Sequence, residues 1–252
     1  MNFDPRQFKP RPDELAGRVI AITGPTRGIG HAVALACARH GANVILIGRN
    51  VKRLEAVHAE IESAGGESTI AVLDLERSIA KDYDAIAAAV QERYGRLDGL
   101  LHNASILGSL APVEHYDIPT FCRVMQVNVT ATFALTQVLL PALKRSQDAS
   151  IVFTSSSVGR RGRAYWGAYA ASKFAIEGLS QVLAAELEGI SQIRVNALNP
   201  GATRTLMRRQ AYPSENPADL PAPEDIVSSY LALLGPASRG VTGQSLNAQP
   251  LV

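Results

Sequence analysis

The chain has 252 residues, 46% hydrophobic and 19% charged, with a formal net charge of +2. That length suits one α/β domain with a large core. The balanced charge and lack of a basic run argue against a nucleic-acid partner. No apolar run reaches the roughly 18–20 residues that a membrane-spanning helix needs.

Residues 1–16 carry Pro5, Pro10 and Pro12 among charged side chains. They read as an arm that lies on the surface or is partly disordered, without the apolar stretch of a secretory signal. The folded domain is expected over 17–252. It opens with RVIAITG, a β-branched run closed by glycine, and continues as an amphipathic helix over 31–40. NVILIG reads as a second strand, 51–64 as a second helix, STIAVLDL as a third strand and 82–94 as a third helix. LDGLLHNA is the fourth strand, and a loop with Gly108, Pro112 and Pro119 leads to a long helix over 120–143. IVFTSS, a helix over 169–188 and QIRVNALNP follow. An irregular, proline-bearing stretch over 201–223 is expected to form a substrate lid. A last helix over 224–234 precedes the strand GQSLNAQ.

Strands alternating with helices imply right-handed crossovers, hence a Rossmann-type doubly wound parallel sheet of about seven strands with helices on both faces. The two cysteines, Cys37 and Cys122, fall in helical patterns and read as reduced, buried thiols of a cytoplasmic protein. No metal is expected.

Between the first strand and the first helix stands TGPTRGIG, which spaces Gly24, Gly28 and Gly30 as G-x-x-x-G-x-G. Glycines there let the backbone approach a diphosphate, and the helix start offers free N–H groups. The second strand ends Ile47-Gly48-Arg49, where an NAD enzyme typically carries an acidic residue. Arg49 and Arg27 are therefore candidates to clamp the 2′-phosphate of NADP. Further on, AYAASK sets Tyr169 and Lys173 four residues apart on one helix face. An adjacent ammonium favours phenolate, so Lys173 is expected to lower the Tyr169 pKa. Ser156, at the mouth of the fifth strand, is a second donor to the same substrate oxygen.

TGPTRGIG, HNA, Asn128, the serine strand, Tyr-x-x-x-Lys and the NPG after the sixth strand together resemble the short-chain dehydrogenase/reductase family, over nearly the whole chain from about Leu15 onward. MQVNVTATF, FTSSSVGR and GAYAASKFA look most like the YciK-like bacterial oxidoreductases. The resemblance implies a catalytic tetrad of Asn128, Ser156, Tyr169 and Lys173, with Asn128 holding a water that orients Lys173. It implies a cofactor site of Gly24, Thr26, Arg27, Gly28, Ile29 and Gly30 in the turn, with Arg49, Asp74, Leu75, Asn103 and Ala104 toward the adenosine. Tyr169, Lys173, Pro200, Gly201 and Thr205 would border the nicotinamide and diphosphate. It also implies a homodimer or homotetramer paired through the helices after the fourth and fifth strands.

Three motifs depart from the family pattern. His102 and Ser105 stand in a motif that is usually Asn-Asn-Ala-Gly, Thr203 stands where Val or Ile is common, and LNAQP lacks the usual Asp-Gly-Gly. The expected activity is NADP(H)-dependent hydride transfer between nicotinamide and a carbonyl/alcohol substrate. The alternative is a catalytically silent dinucleotide-sensing protein, with epimerase or dehydratase chemistry as a third reading. Arg160, Arg161, Arg163, Arg204, Arg208 and Arg209 fall in the two segments expected to border the substrate, and point to an anionic handle on it.

Overall fold

A computed structural model describes residues 3–250 and contains one seven-stranded sheet. Its strands are β1 (Val19–Thr23), β2 (Asn43–Gly48), β3 (Glu67–Val72), β4 (Gly99–His102), β5 (Ser150–Thr154), β6 (Arg194–Asn199) and β7 (Ser245–Asn247). All pairings are parallel, in the order β3-β2-β1-β4-β5-β6-β7. The four central strands β1, β4, β5 and β6 are buried along their whole length. Strands covered on both faces have no solvent side to mark, which is why they read as unbroken apolar runs.

Alternate residues of each strand feed opposite faces. Ile20 and Ile22 pack with α1 (Gly28–Arg39), α2 (Val51–Ser63) and α8 (Val227–Leu234). Val19 and Ala21 pack with α3 (Ala80–Tyr94), α5 (Ala131–Lys144) and α6 (Gly167–Leu187). The chain winds outward from β1 to β3, then returns to lay β4 on the other side of β1. Connections therefore diverge above the carboxyl ends of β1 and β4, leaving a crevice where such sheets bind ligands.

Four expectations are corrected. The arm is packed rather than loose: Pro5–Gln7 forms a 3-10 turn, Leu15 is fully buried, and the Leu15 N–H donates to the His40 carbonyl at 2.9 Å. An apolar Leu15 seated against α8 explains why the prolines do not release it. Residues 1, 2, 251 and 252 of the expected arm and domain lie outside the described residues. The helix expected over 120–143 is α4 (Ile118–Met125) joined to α5 by a π-turn, Gln126–Thr130, centred on Asn128. The proline-bearing stretch contains a short helix, α7 (Leu206–Ala211), capped by Thr205. Cys37 is buried and its thiol pushed up to about 12 by burial, but Cys122 is exposed on the outer face of α4. The continuous helix Ile118–Lys144 is long and apolar enough to cross a membrane by length and composition, yet Val124, Leu135 and Leu139 along it are fully buried in the protein.

Candidate active site

The crevice is a cleft of about 1280 Å³ lined from the glycine turn to α7. Its floor at one end is the turn after β1. Gly24 and Gly28 have φ of +68° and +56°, a region that side chains rarely adopt. At Gly30 a Cβ would stand 2.3 Å from the Gly24 carbonyl oxygen, so the third glycine is needed for space. The first turn of α1 begins at Arg27 with no side-chain cap, so its N–H groups open toward the cleft. A diphosphate fits this cradle: close backbone, uncapped donors, and the exposed Arg27 beside them. Thr26 and Ile29 line the same wall. Thr23 locks the turn to β4, its hydroxyl accepting from the N–H groups of Asn103 and Ala104, both at 3.0 Å.

At the adenosine end, Asp74, Leu75, Asn103 and Ala104 all line the cleft. Arg49 lies there too, but in ion pairs with Glu76 at 3.2 Å and Asp74 at 3.6 Å. Glu76 also binds Arg123 at 2.8 Å, and the Arg123 hydrogen bond, with Arg49 beside it, holds its carboxyl below the usual range. Arg53, from α2, is an exposed cation on the same wall that sequence reasoning passed over. It stands in the first turn of α2, four residues after Arg49 in the chain.

The other end of the floor carries the tetrad positions. Ser156 follows β5 with its hydroxyl unused as a cap, and it and Tyr169 line the cleft. Lys173 lies beneath Tyr169, 3% exposed, its Nζ 5.5 Å from the Tyr169 ring centre and donating to the Thr154 carbonyl at 2.7 Å. This corrects the expectation for Tyr169. Burial pushes its hydroxyl up to about 12, against smaller downward pulls from hydrogen bonds with Ser105 and Ser156. Lys173 itself is lowered to about 8 by burial, with Glu177 pulling it back up.

Asn128 is 2% exposed, and its amide is committed on both sides. Its Oδ1 accepts from the Ile106 N–H at 2.9 Å, while its Nδ2 donates to the Ile106 carbonyl and to Ser172 Oγ, both at 3.0 Å. The π-turn turns this side chain out of the helix and onto the loop after β4, as π-turns at functional sites commonly do.

Three further residues carry the site without having been read from the sequence. Glu177, one turn past Lys173 on α6, is 6% exposed and accepts from Ser155 and Ser245, both at 2.5 Å, and from Arg160 at 3.3 Å. Its i,i+4 spacing from Lys173 was a legible signal. Gln249 stands where the Asp-Gly-Gly pattern is missing. Its Nε2 lies 2.7 Å from the Pro200 carbonyl and 3.1 Å from Thr203 Oγ1. It staples the turn in which Gly201 has φ +74°, and the polar Thr203 is explained by the same bond. Ser105, noted only as a departure, lines the cleft together with Tyr169. His102 is structural: it is buried, stacked on Phe153 at 5.0 Å, bonded to Thr136 and held neutral by burial, which lowers it to about 3.

The segment after β6 covers the cleft. The γ-methyl of Thr205 would lie 3.3 Å from a Cβ at Gly28, so this segment rests directly on the glycine turn. Only Arg204, Arg208 and Arg209 of the six arginines line the cleft. Arg160 points away, to Glu177, Asn247 and the Leu246 carbonyl. Arg208 is held by Glu215 through two 2.6 Å bonds and stacks on Tyr212 at 3.7 Å. The positive field expected from this segment is thereby reduced, because the partner carboxylate lies just past its end. Leu107, Met207, Trp166 and Tyr212 make the apolar side of the mouth, with Trp166 edge-on to Tyr169 at 5.8 Å.

A dinucleotide cradle at a switch point, with serine, tyrosine and lysine gathered at its far end, defines a nicotinamide-dependent dehydrogenase class of α/β protein. The chain belongs to the short chain dehydrogenase family, whose model matches residues 18–216. It is 49% identical to the oxidoreductase YciK of Escherichia coli K12 over 244 residues, 96% of each chain. A solved short chain dehydrogenase from Pseudomonas syringae is 58% identical, with a TM-score of 0.95 over 96% of this chain and 99% of that one. Another, from Escherichia coli CFT073 complexed with NADPH, is 50% identical, with a TM-score of 0.93 over 96% of this chain and all of that one. The likeness to YciK-type oxidoreductases is thus borne out.

Proposed function

We propose that the protein is an NADP(H)-dependent oxidoreductase that interconverts a carbonyl and an alcohol. The observation that carries this reading is that Ser156 and Tyr169 line one cleft with the glycine turn, and that the Lys173 Nζ lies 5.5 Å from the Tyr169 ring centre. The NADPH complex of the Escherichia coli CFT073 relative supports the choice of cofactor. Gly24, Gly28, Gly30 and the start of α1 would hold the diphosphate, and Asp74, Leu75, Asn103 and Ala104 would border the adenosine. Arg27, Arg49 and Arg53 would face the 2′-phosphate, with Arg49 exchanging Asp74 and Glu76 for it. Pro200, Gly201 and Thr205 would border the nicotinamide.

The bound nicotinamide supplies or takes the hydride. The protein manages the oxygen. Ser156 donates to it, and Tyr169 gives it a proton in reduction and removes one in oxidation. Lys173 supports the charge change at Tyr169, and Asn128 fixes the loop that faces it. Arg204 and Arg209 are exposed on the cleft wall without ion pairs among the described residues, and favour a carboxylate or phosphate on the substrate. Trp166 and Met207 take its apolar part. The chain assembles as a homodimer or homotetramer through α5 and α6, a reading supported by Phe133, Phe174 and Val182, each about half exposed on those helices.

A panel of carbonyl compounds, with NADPH consumption as readout, tests the activity. Turnover of at least one supports it. Tight NADPH binding without turnover on any supports a cofactor-sensing role instead, and product formation without net NADPH consumption supports an epimerase or dehydratase.

A further inference from the structure

The segment after β7 runs alongside the turn that leads from β6 to the cover of the cleft. The Ala248 N–H donates to the Asn199 carbonyl at 2.9 Å, and the next side chain, Gln249, lies against the turn 200–203. Its Nε2 donates to the Pro200 carbonyl at 2.7 Å, to the Ala202 carbonyl at 3.0 Å and to Thr203 Oγ1 at 3.1 Å. The two protons of one amide nitrogen are thus shared among three acceptors of a single turn. The amide can face the turn only by its nitrogen, because an oxygen there would meet two carbonyl oxygens. Gly201, between the bonded carbonyls, has φ +74°, and a Cβ on it would stand 2.9 Å from Gln249 Cδ. Glycine is needed there both for the backbone angle and for the close approach of the amide. From the other side, the Gly201 N–H donates to Asn199 Oδ1 at 3.1 Å, and Asn199 Nδ2 donates to Asn247 Oδ1 of β7, also at 3.1 Å.

This turn faces the site. Pro200, Gly201, Thr203 and Thr205 line the cleft, and Thr205 both caps α7, through the Arg208 N–H at 3.1 Å, and rests on Gly28. Gln249 itself does not line the cleft. It lies behind the turn, on a separate hollow with Pro221 and Ile226, and can reach a bound molecule only through the turn. The adenosine wall hangs on the opposite edge of the sheet: Arg49 follows β2 and Asp74 follows β3, while β7 is the last strand at the other edge.

We propose that Gln249 is a positioning residue for the nicotinamide half of the cofactor, its amide holding the turn 200–203 in the shape that borders nicotinamide and diphosphate, and that it contributes nothing to the adenosine half. The inference rests on the reading of this cleft as an NADP(H) site. Without the amide, two carbonyls of a part-buried turn lose their donor, and the conformational freedom of Gly201 lets the turn relax away from the cofactor. The sequence LNAQP thereby does by a side-chain amide what holds this turn here in place of an Asp-Gly-Gly ending.

The parent protein is compared with Gln249→Met, which keeps an unbranched stem and loses the donor, and with Gln249→Glu, which sets carboxylate oxygens against the same carbonyls. NADPH is titrated by its fluorescence. Adenosine 2′,5′-bisphosphate, which carries the adenosine half and no nicotinamide, is titrated by calorimetry, and amide exchange is followed over 200–211. Gln249→Met is expected to weaken NADPH binding by about tenfold and Gln249→Glu by more, with bisphosphate affinity within about twofold of the parent in both. Exchange should quicken over the turn in step with the loss. Retained bisphosphate binding shows that the variants are folded. Parent-like NADPH affinity in Gln249→Met overturns the inference. So does an equal weakening of both ligands, which would make Gln249 a support of the whole fold. The two readings fail separately: a parent protein that binds neither ligand removes the cofactor reading and the role of Gln249 with it. A parent that binds both, with NADPH affinity unmoved in Gln249→Met, removes only the role of Gln249.

Discussion

The floor of the cleft and its cover are built by different means. The floor is made by strand ends and buried side chains: Thr23, Asn128, Tyr169 and Lys173 are each less than a tenth exposed. The polar groups of Asn128 and Lys173 there are fixed by bonds to neighbouring backbone. The cover, from Gly201 to α7 and beyond, is exposed, arginine-bearing and tied down by surface pairs such as Arg208 with Glu215. Chemistry that needs sub-ångström positioning belongs to the floor, and discrimination between substrates belongs to the cover. Substitutions in the floor should therefore change turnover or stability sharply, while those in the cover change apparent affinity and little else.

The largest effect is expected at Tyr169. Tyr169→Phe removes one hydroxyl from a packed ring, so NADPH affinity should hold within about twofold while turnover falls by roughly 10²–10⁴-fold, the usual worth of a general acid. Near-full turnover in that variant, measured with any active carbonyl, would place the proton elsewhere.

Lys173 gives the floor a pH signature. Burial lowers it from 10.5 to about 8, so between those values the unfolded chain binds more protons than the folded one. Stability should therefore rise with pH across that window, with the burden of the buried charge fully present below about 8 and gone above 10.5. Lys173→Met should flatten this rise in melting temperature. A parent-like slope in that variant would show that another group is responsible.

Asn128 sharpens the contrast, because its effect combines stability with chemistry. Asn128→Ala strands the backbone N–H and carbonyl of Ile106 in a part-buried loop. A loss of about 2–3 kcal/mol in denaturant unfolding is expected, together with a lower turnover. Unchanged stability with a collapse in turnover would mean that Asn128 acts on the reaction directly and not through the loop.

The floor was also the part most legible in the sequence. The strand runs, the glycine turn and the Tyr-x-x-x-Lys spacing are local patterns, and each sits where the pattern says. Contacts made between distant segments were hidden. Nothing near Asn128 in the chain points to Ile106, and nothing near Thr203 points to Gln249. Leu15 gave no sign that it would anchor the arm, because its partners lie on α8. The net direction at Tyr169 was hidden for a similar reason: helical spacing puts Lys173 on its face, but the burial that raises the hydroxyl comes from segments distant in the chain. On the cover, charge could be counted but not cancelled, since Glu215 lies just beyond the arginine run and Glu177 far from Arg160.

Arg49 stands between floor and cover, at a strand end but exposed. Arg49→Asp sets a carboxylate beside Asp74 and Glu76 and removes a charge-assisted bond to a 2′-phosphate. The ratio of NADPH to NADH affinity should fall by roughly tenfold or more. An unchanged ratio by fluorescence titration would give cofactor choice to Arg27 and Arg53.

The smallest effect, and the one that most directly tests the division, is expected at Arg204 and Arg208. Both line the cleft, but only Arg204 is exposed, while Arg208 is held by Glu215 and stacked on Tyr212. The Glu215 hydrogen bonds raise the Arg208 pKa, and the Arg208 bonds lower that of Glu215, so the pair stays ionised and its charge is largely spoken for. An exposed guanidinium interacts through water and salt, which limits its effect on a passing anion. Arg204→Glu should accordingly raise KM for an acidic carbonyl compound by about three- to tenfold, leave kcat and neutral carbonyls unchanged, and lose its effect at high salt. Arg208→Gln should leave charge discrimination nearly intact and instead loosen α7, seen as faster amide exchange over 206–211. Equal effects of Arg204→Glu on acidic and neutral substrates would return that arginine to the solvent. A larger charge effect from Arg208 than from Arg204 would mean that the Glu215 pair opens when substrate arrives.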